Sequence, residues 1–165
     1  MAYVALGSNQ GDSRQLIIHA MERLQQLAAA PVLKSSLWQT TPVDCPPNSP
    51  AFLNAAVGLL PVAGETPESL LAKLQSLEKE FGRQPKQVLN EARPLDLDLI
   101  AFGTDTCTRP ELTLPHPRAH ERRFVLQPLA EIAPELVLPR QSQSVLDLLV
   151  GLPPGETVTW ISSPR

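Results

Sequence analysis

The stretch RPLDLDLI, residues 93–100, limits what this chain can become more than any other. Asp96 and Asp98 alternate with Leu95, Leu97 and Leu99, and in an extended strand successive side chains point to opposite faces. The leucines therefore share a face that must be buried, while the two carboxylates share the other. Their Cα atoms would stand roughly 6.5 to 7 Å apart, close enough for both side chains to converge on one hard cation or on a pair. Mg²⁺ is usually held by one or two carboxylates completed by phosphate oxygens and water, which suits such a pair. Period-2 alternation is equally the ordinary signal of a half-exposed strand with a solvated acidic face. From these residues alone the two readings weigh evenly.

The remaining chain supplies the partners such a strand needs. Residues 2–6 read as a strand, GSNQGD as a turn, and Asp12 or Ser13 as the cap of a helix. Apolar residues at 16, 20, 24 and 27 carry that helix toward Pro31, and residues 32–38 read as a second strand. Pro42, Pro46, Pro47 and Pro50 then forbid regular structure and leave a long loop. In AFLNAAVGLLPV, Leu53, Ala55, Val57 and Leu59 take one face; Phe52, Asn54, Ala56 and Gly58 take the other. An aromatic beside an amide could stack on and hydrogen-bond a flat heterocycle; a packed Phe with a satisfied Asn is the simpler alternative. Thr66 and Pro67 predict the cap and first residue of a second helix striped by Leu70, Leu74, Leu77 and Phe81 and ended by Gly82.

Beyond the acidic strand, Pro117 predicts the start of a helix carrying Arg118, Arg122 and Phe124. Residues 145–150 read as a short helix, and 157–161 as a terminal strand. The result is an α+β chain. Four strands with two intervening helices make a ferredoxin-like βαββαβ sheet, helices on one face and a C-terminal helical extension, with the other face free for a ligand.

At 165 residues the chain has room for one well-buried core, so residues 1–165 are expected to form a single domain. No apolar run approaches a membrane span, and the start MAYVALGSNQGD lacks the basic opening of a signal peptide. Cys45 and Cys107 have no metal-site spacing and read as free thiols, so a soluble, cytoplasmic protein is expected. A net charge of −3 argues against broad nucleic-acid binding. Yet Arg83, Arg93, Arg118, Arg122 and Arg123 cluster around the acidic strand, and a convergent set would suit a polyphosphate.

Several segments together resemble the 6-hydroxymethyl-7,8-dihydropterin pyrophosphokinases: LGSNQGD at 6–12, TTPV at 40–43, FLNAAV at 52–57, Glu78 with FGR at 81–83, RPLDLDLIAFG at 93–103, and LTLPHPRAHERRFVLQPLAEIAPEL at 112–136. They occur in the family's order over nearly the whole chain. The resemblance implies transfer of pyrophosphate from ATP to the pterin hydroxymethyl group, release of AMP, two Mg²⁺ ions and a ferredoxin-like fold. Residue by residue, it implies that Asp96 and Asp98 hold the metals. Phe52 and Phe124 would flank the pterin, with Asn54, Thr40 and Val43 lining its pocket. Glu78, Arg83, Arg93, His116 and Arg122 would surround ATP, and Arg83 and Arg93 would act on the transferring phosphates. Small-molecule substrates and a monomer are expected, with neither nucleic acid nor membrane as partner. The chain departs from the pattern at Asn90, Glu91 and Ala92, where relatives carry Trp, Gly and Pro, and at Pro85, where they carry a basic residue. A nucleotidyltransferase, which also joins a GS turn to paired acids, places them close in sequence; here Ser8 and Asp96 are two helices apart.

Overall fold

A computed structural model describes residues 1–40, 51–82 and 94–164. Strand β1 (Ala2–Ser8) leads into helix α1 (Ser13–Gln26), capped by the Asp12 carboxylate accepting the Gln15 N–H at 3.2 Å. The helix ends five residues before Pro31, because Ala28 leaves it to bridge Pro61. The strand expected over 32–38 is two pieces, β2 (Leu33–Lys34) and β3 (Leu37–Thr40). The break falls at Ser35 and Ser36, where side chains replace backbone partners: Ser35 Oγ accepts the Ala56 N–H, and the Glu131 carboxylate accepts the Ser36 N–H.

Next come β4 (Phe52–Leu59), helix α2 (Pro67–Glu80) and β5 (Asp96–Phe102). The Thr66 hydroxyl accepts the Ser69 N–H and the Ser69 hydroxyl accepts the Thr66 N–H, closing a reciprocal cap over Pro67. Gly82, at φ 90°, makes the left-handed turn that ends α2. A short hairpin, β6 (Cys107–Arg109) and β7 (Leu112–Leu114), follows where sequence suggested only turns. Helix α3 (Arg123–Ile132) begins at Arg123 rather than Pro117. The His116 N–H is tied to the Ile100 carbonyl at 2.9 Å, so the intervening residues make a separate 3-10 turn over 119–121. Helix α4 (Val145–Val150) and β8 (Val158–Ser162) complete the chain.

The sheet runs β5-β1-β4-β3-β8 with β2 also on β4, every pairing antiparallel. Without β8 this is the interleaved pair of split βαβ units of a ferredoxin-like fold. α1 and α2 cover one face, where Ala2, Val4, Leu6, Ala55, Val57, Leu59, Leu97 and Leu99 meet Ile17, Met21, Leu24, Leu70 and Leu74. The opposite face, expected to be free, is partly covered: α3 and α4 form a second core there with Ala56, Ile100 and Ala101. A bulge at Ile100, between the pairs Val4↔Leu99 and Tyr3↔Ala101, turns two consecutive residues toward that core. What remains open is the half of this face nearest the start of β5.

Candidate active site

That open half holds a cavity of about 440 Å³, within the range of small-molecule sites. Pairing across the sheet sets its floor. Asp96 lies opposite Gly7 and Asp98 opposite Ala5, while Gly7 and Ala5 face Asn54 and Ala56 on β4. Thr40 lies opposite Phe52, and the Asn54 amide donates to the Thr40 hydroxyl at 2.8 Å, both residues buried.

The wall facing the sheet comes from the segment leading into α3. Arg118, Arg122, Arg123 and Phe124 line the cavity, and the Arg122 guanidinium lies 5.5 Å from the centre of the Phe124 ring, a cation–π contact. Burial, then the neighbouring Arg118, lower the Arg122 pKa, while Asp98 and Asp96 pull it back up. Acids and guanidinium thus feel one another across the cavity. Arg118 also pairs with Glu121 at 3.1 Å at the exposed rim.

His116 stands beside this group. Its Nδ1 accepts the Arg118 N–H at 3.3 Å, which puts the proton of the neutral ring on Nε2. Burial, with Arg122 and Arg118, pushes the imidazole below its usual pKa, and Asp96 opposes them. His116 lines a second, smaller cavity of about 210 Å³ with Leu71, Leu97, Leu99, Thr113 and Pro117. Asp98 borders both cavities.

The residues expected from sequence therefore divide. Thr40, Phe52, Asn54, Asp96, Asp98, Arg122 and Phe124 converge on the larger cavity, and His116 on the smaller. Glu78 borders neither: it is buried on α2, and its carboxylate accepts the Leu97 N–H at 2.8 Å, holding the strand between the two acids. Val43, Arg83 and Arg93 lie outside the described residues. Among the described residues no cluster of three or more His, Cys, Asp or Glu side chains forms a protein-only metal cage. Two half-buried carboxylates on one face beside guanidiniums fit instead a hard cation whose other ligands come from phosphate and water.

Sequence reasoning missed the floor. Along β1 the residues on this face shrink from Tyr3 to Ala5 to Gly7, and that narrowing series was a legible sign of a depression. A Cβ on Gly7 would stand 3.4 Å from the Asn54 carbonyl oxygen and 3.9 Å from the Phe52 ring. It also missed residues 152–156, which line the cavity from the far end of the chain and carry no local signal.

Fold and site together define a small ferredoxin-like protein that gathers carboxylates, guanidiniums and aromatic rings about a cavity of small-molecule size. The family is more specific. Residues 3–134 match 7,8-dihydro-6-hydroxymethylpterin-pyrophosphokinase (HPPK), and the chain belongs to that family. A Bacillus subtilis 2-amino-4-hydroxy-6-hydroxymethyldihydropteridine pyrophosphokinase is 40% identical over 82% of this chain and 80% of its own length. The Haemophilus influenzae enzyme of the same name is 36% identical over 90% of each. The Pneumocystis carinii folic acid synthesis protein fol1 is 38% identical over 87% of this chain, which corresponds to 19% of that longer protein. Among solved structures, a Plasmodium falciparum HPPK-DHPS triple mutant with pteroate superposes with a TM-score of 0.67 at 13% identity, covering 90% of this chain and 42% of that one.

Proposed function

We propose that the chain transfers pyrophosphate from ATP to the hydroxymethyl group of 6-hydroxymethyl-7,8-dihydropterin, releasing AMP, as a step of folate biosynthesis. The observation that carries this reading is the position of Asp98 between two cavities. A two-substrate transfer needs two pockets that meet at a charged boundary, and the family's relatives bear the name of this reaction.

The pterin would lie in the larger cavity with its ring between Phe52 and Phe124 and its polar edge on Asn54 and Thr40. The smaller cavity beside His116 would take the nucleoside end of ATP, so that its phosphates cross Asp98 and Asp96. The pterin hydroxyl then attacks the β-phosphorus in line as the bond to the α-phosphate oxygen breaks. Such transfers depend on positioning and charge stabilisation more than on covalent chemistry. Asp96 and Asp98 would hold two Mg²⁺ ions, which when bound offset phosphate charge. Arg122, with Arg83 and Arg93, would carry charge developing on the transferring oxygens. Glu78 acts at one remove, by fixing the β5 backbone between the acids. We further propose a monomeric, single-domain cytoplasmic enzyme. Among the described residues no helix is long and apolar enough to cross a membrane.

Mixing protein, Mg²⁺, ATP and the hydroxymethyldihydropterin tests this. AMP should accumulate in step with the pyrophosphorylated pterin, and chelation by EDTA should stop it. ADP in place of AMP, or no nucleotide product at high enzyme concentration, would refute the assignment.

A further inference from the structure

The residues past position 134 lie outside the family match, yet residues 152–156 form one side of the larger cavity. Their contact with the site is specific. Helix α3 opens without a side-chain cap of its own, since Arg122 at the capping position makes no such bond. Pro128 inside the helix has no N–H, so the Phe124 carbonyl lacks its usual donor four residues on. The turn carrying Phe124 is thus short of internal bonds at both its start and its carbonyl side. Glu156 supplies the missing acceptor from thirty-two residues away: its half-buried carboxylate takes the Phe124 N–H at 3.3 Å. A negative charge there also suits the positive end of the helix dipole.

The neighbouring residue fastens the same segment. Arg123 donates to the carbonyls of Leu152 at 3.5 Å and Pro153 at 3.3 Å. The segment is anchored at both ends, by α4, whose Val145 and Leu149 are buried in the second core, and by β8, which pairs with β3. Pro153 and Pro154 restrict the backbone between these anchors. The result is a short strap fixed to α4 at one end and to the sheet through β8 at the other, and tied to α3 between them.

We propose that Glu156 is a positioning residue for the pterin: through the Phe124 N–H it fixes the aromatic wall against which the ring stacks, and residues 152–156 form a selectivity strap on that side of the pocket. This rests on the function proposed above. Because Glu156 acts through Phe124, its effect falls on pterin recognition rather than on ATP or the phosphates.

The test uses the full chain. Glu156→Ala should raise KM for the pterin about tenfold, the worth of one hydrogen bond of about 1.4 kcal/mol, with kcat and KM for ATP within about twofold of wild type. Glu156→Gln keeps an acceptor oxygen and should restore most of that loss. Hydrogen exchange at the Phe124 amide should quicken at least about tenfold in Glu156→Ala and stay slow in Glu156→Gln. A pterin KM within about twofold of wild type in Glu156→Ala, both KM values rising together, or unchanged exchange at Phe124 would each overturn the inference. Wild-type protein that releases no AMP would instead overturn the proposed function, and the Phe124 exchange rate would still decide whether Glu156 holds the helix.

Discussion

The two faces of the sheet are written in the same three strands, residue by residue in alternation, and they could hardly differ more. On β1, β4 and β5 the residues toward α1 and α2 are Val4, Leu6, Ala55, Val57, Leu97 and Leu99, all buried in one continuous apolar core. Their immediate neighbours on the other face are Ala5, Gly7, Asn54, Asp96 and Asp98, small or polar around an open cavity. Burying carboxylates costs solvation free energy, and leaving a pocket forgoes packing. A sheet can bear both only because the opposite face is packed without a break. The comparison teaches that stability and chemistry are separated here by a single residue of register.

Substitutions on either side should break that division if it is wrong. Asp98→Ala should cut AMP release by about 10³-fold, the scale on which preorganised charge contributes to catalysis, while shifting unfolding free energy in urea by less than about 1 kcal/mol. A parallel loss of stability would show the acids to be structural. Leu74→Ala, on the packed face, should do the reverse. It should cost about 3 kcal/mol of stability in the same denaturation measurement, with both KM values near wild type well below the melting temperature. Glu78→Ala is the case that crosses the boundary. Losing a charged acceptor from the buried Leu97 N–H should cost about 2 kcal/mol and, by loosening the strand between Asp96 and Asp98, also lower kcat about tenfold. Smallest is Ala5→Val, which raises the floor under the cavity. It should increase the pterin KM by about fivefold with little change in stability, read from steady-state kinetics at fixed ATP.

Much of this was legible where local chemistry decides the outcome. The alternation in β4 and β5, the Thr66 cap over Pro67 and the Gly82 stop each follow from a few adjacent residues, and each stands where the pattern puts it. The misses share a different cause. The break at Ser35 and Ser36 depends on Glu131, ninety-five positions away from Ser36, whose carboxylate takes the Ser36 N–H and hydroxyl and the Trp38 indole N–H. The late start of α3 depends on the tie from His116 to Ile100. The partial closing of the supposedly free face depends on α3 and α4, whose apolar sides gave no sign of what they would cover. At the site, the carboxylates and the aromatic-amide pair declared themselves by residue type. The floor and the strap did not, because small residues and a lone glutamate take their meaning from what stands across from them.

The floor of Ala5 and Gly7 carries a further consequence. Alanine and glycine have no rotamers to surrender, so a ligand lying on them immobilises nothing that was previously free. The cost of ordering the pocket falls on its walls, on Arg122, Phe124 and Phe52. A surface without side-chain freedom presents the same contour before and after binding, and affinity gained against it carries no entropic debit from the protein.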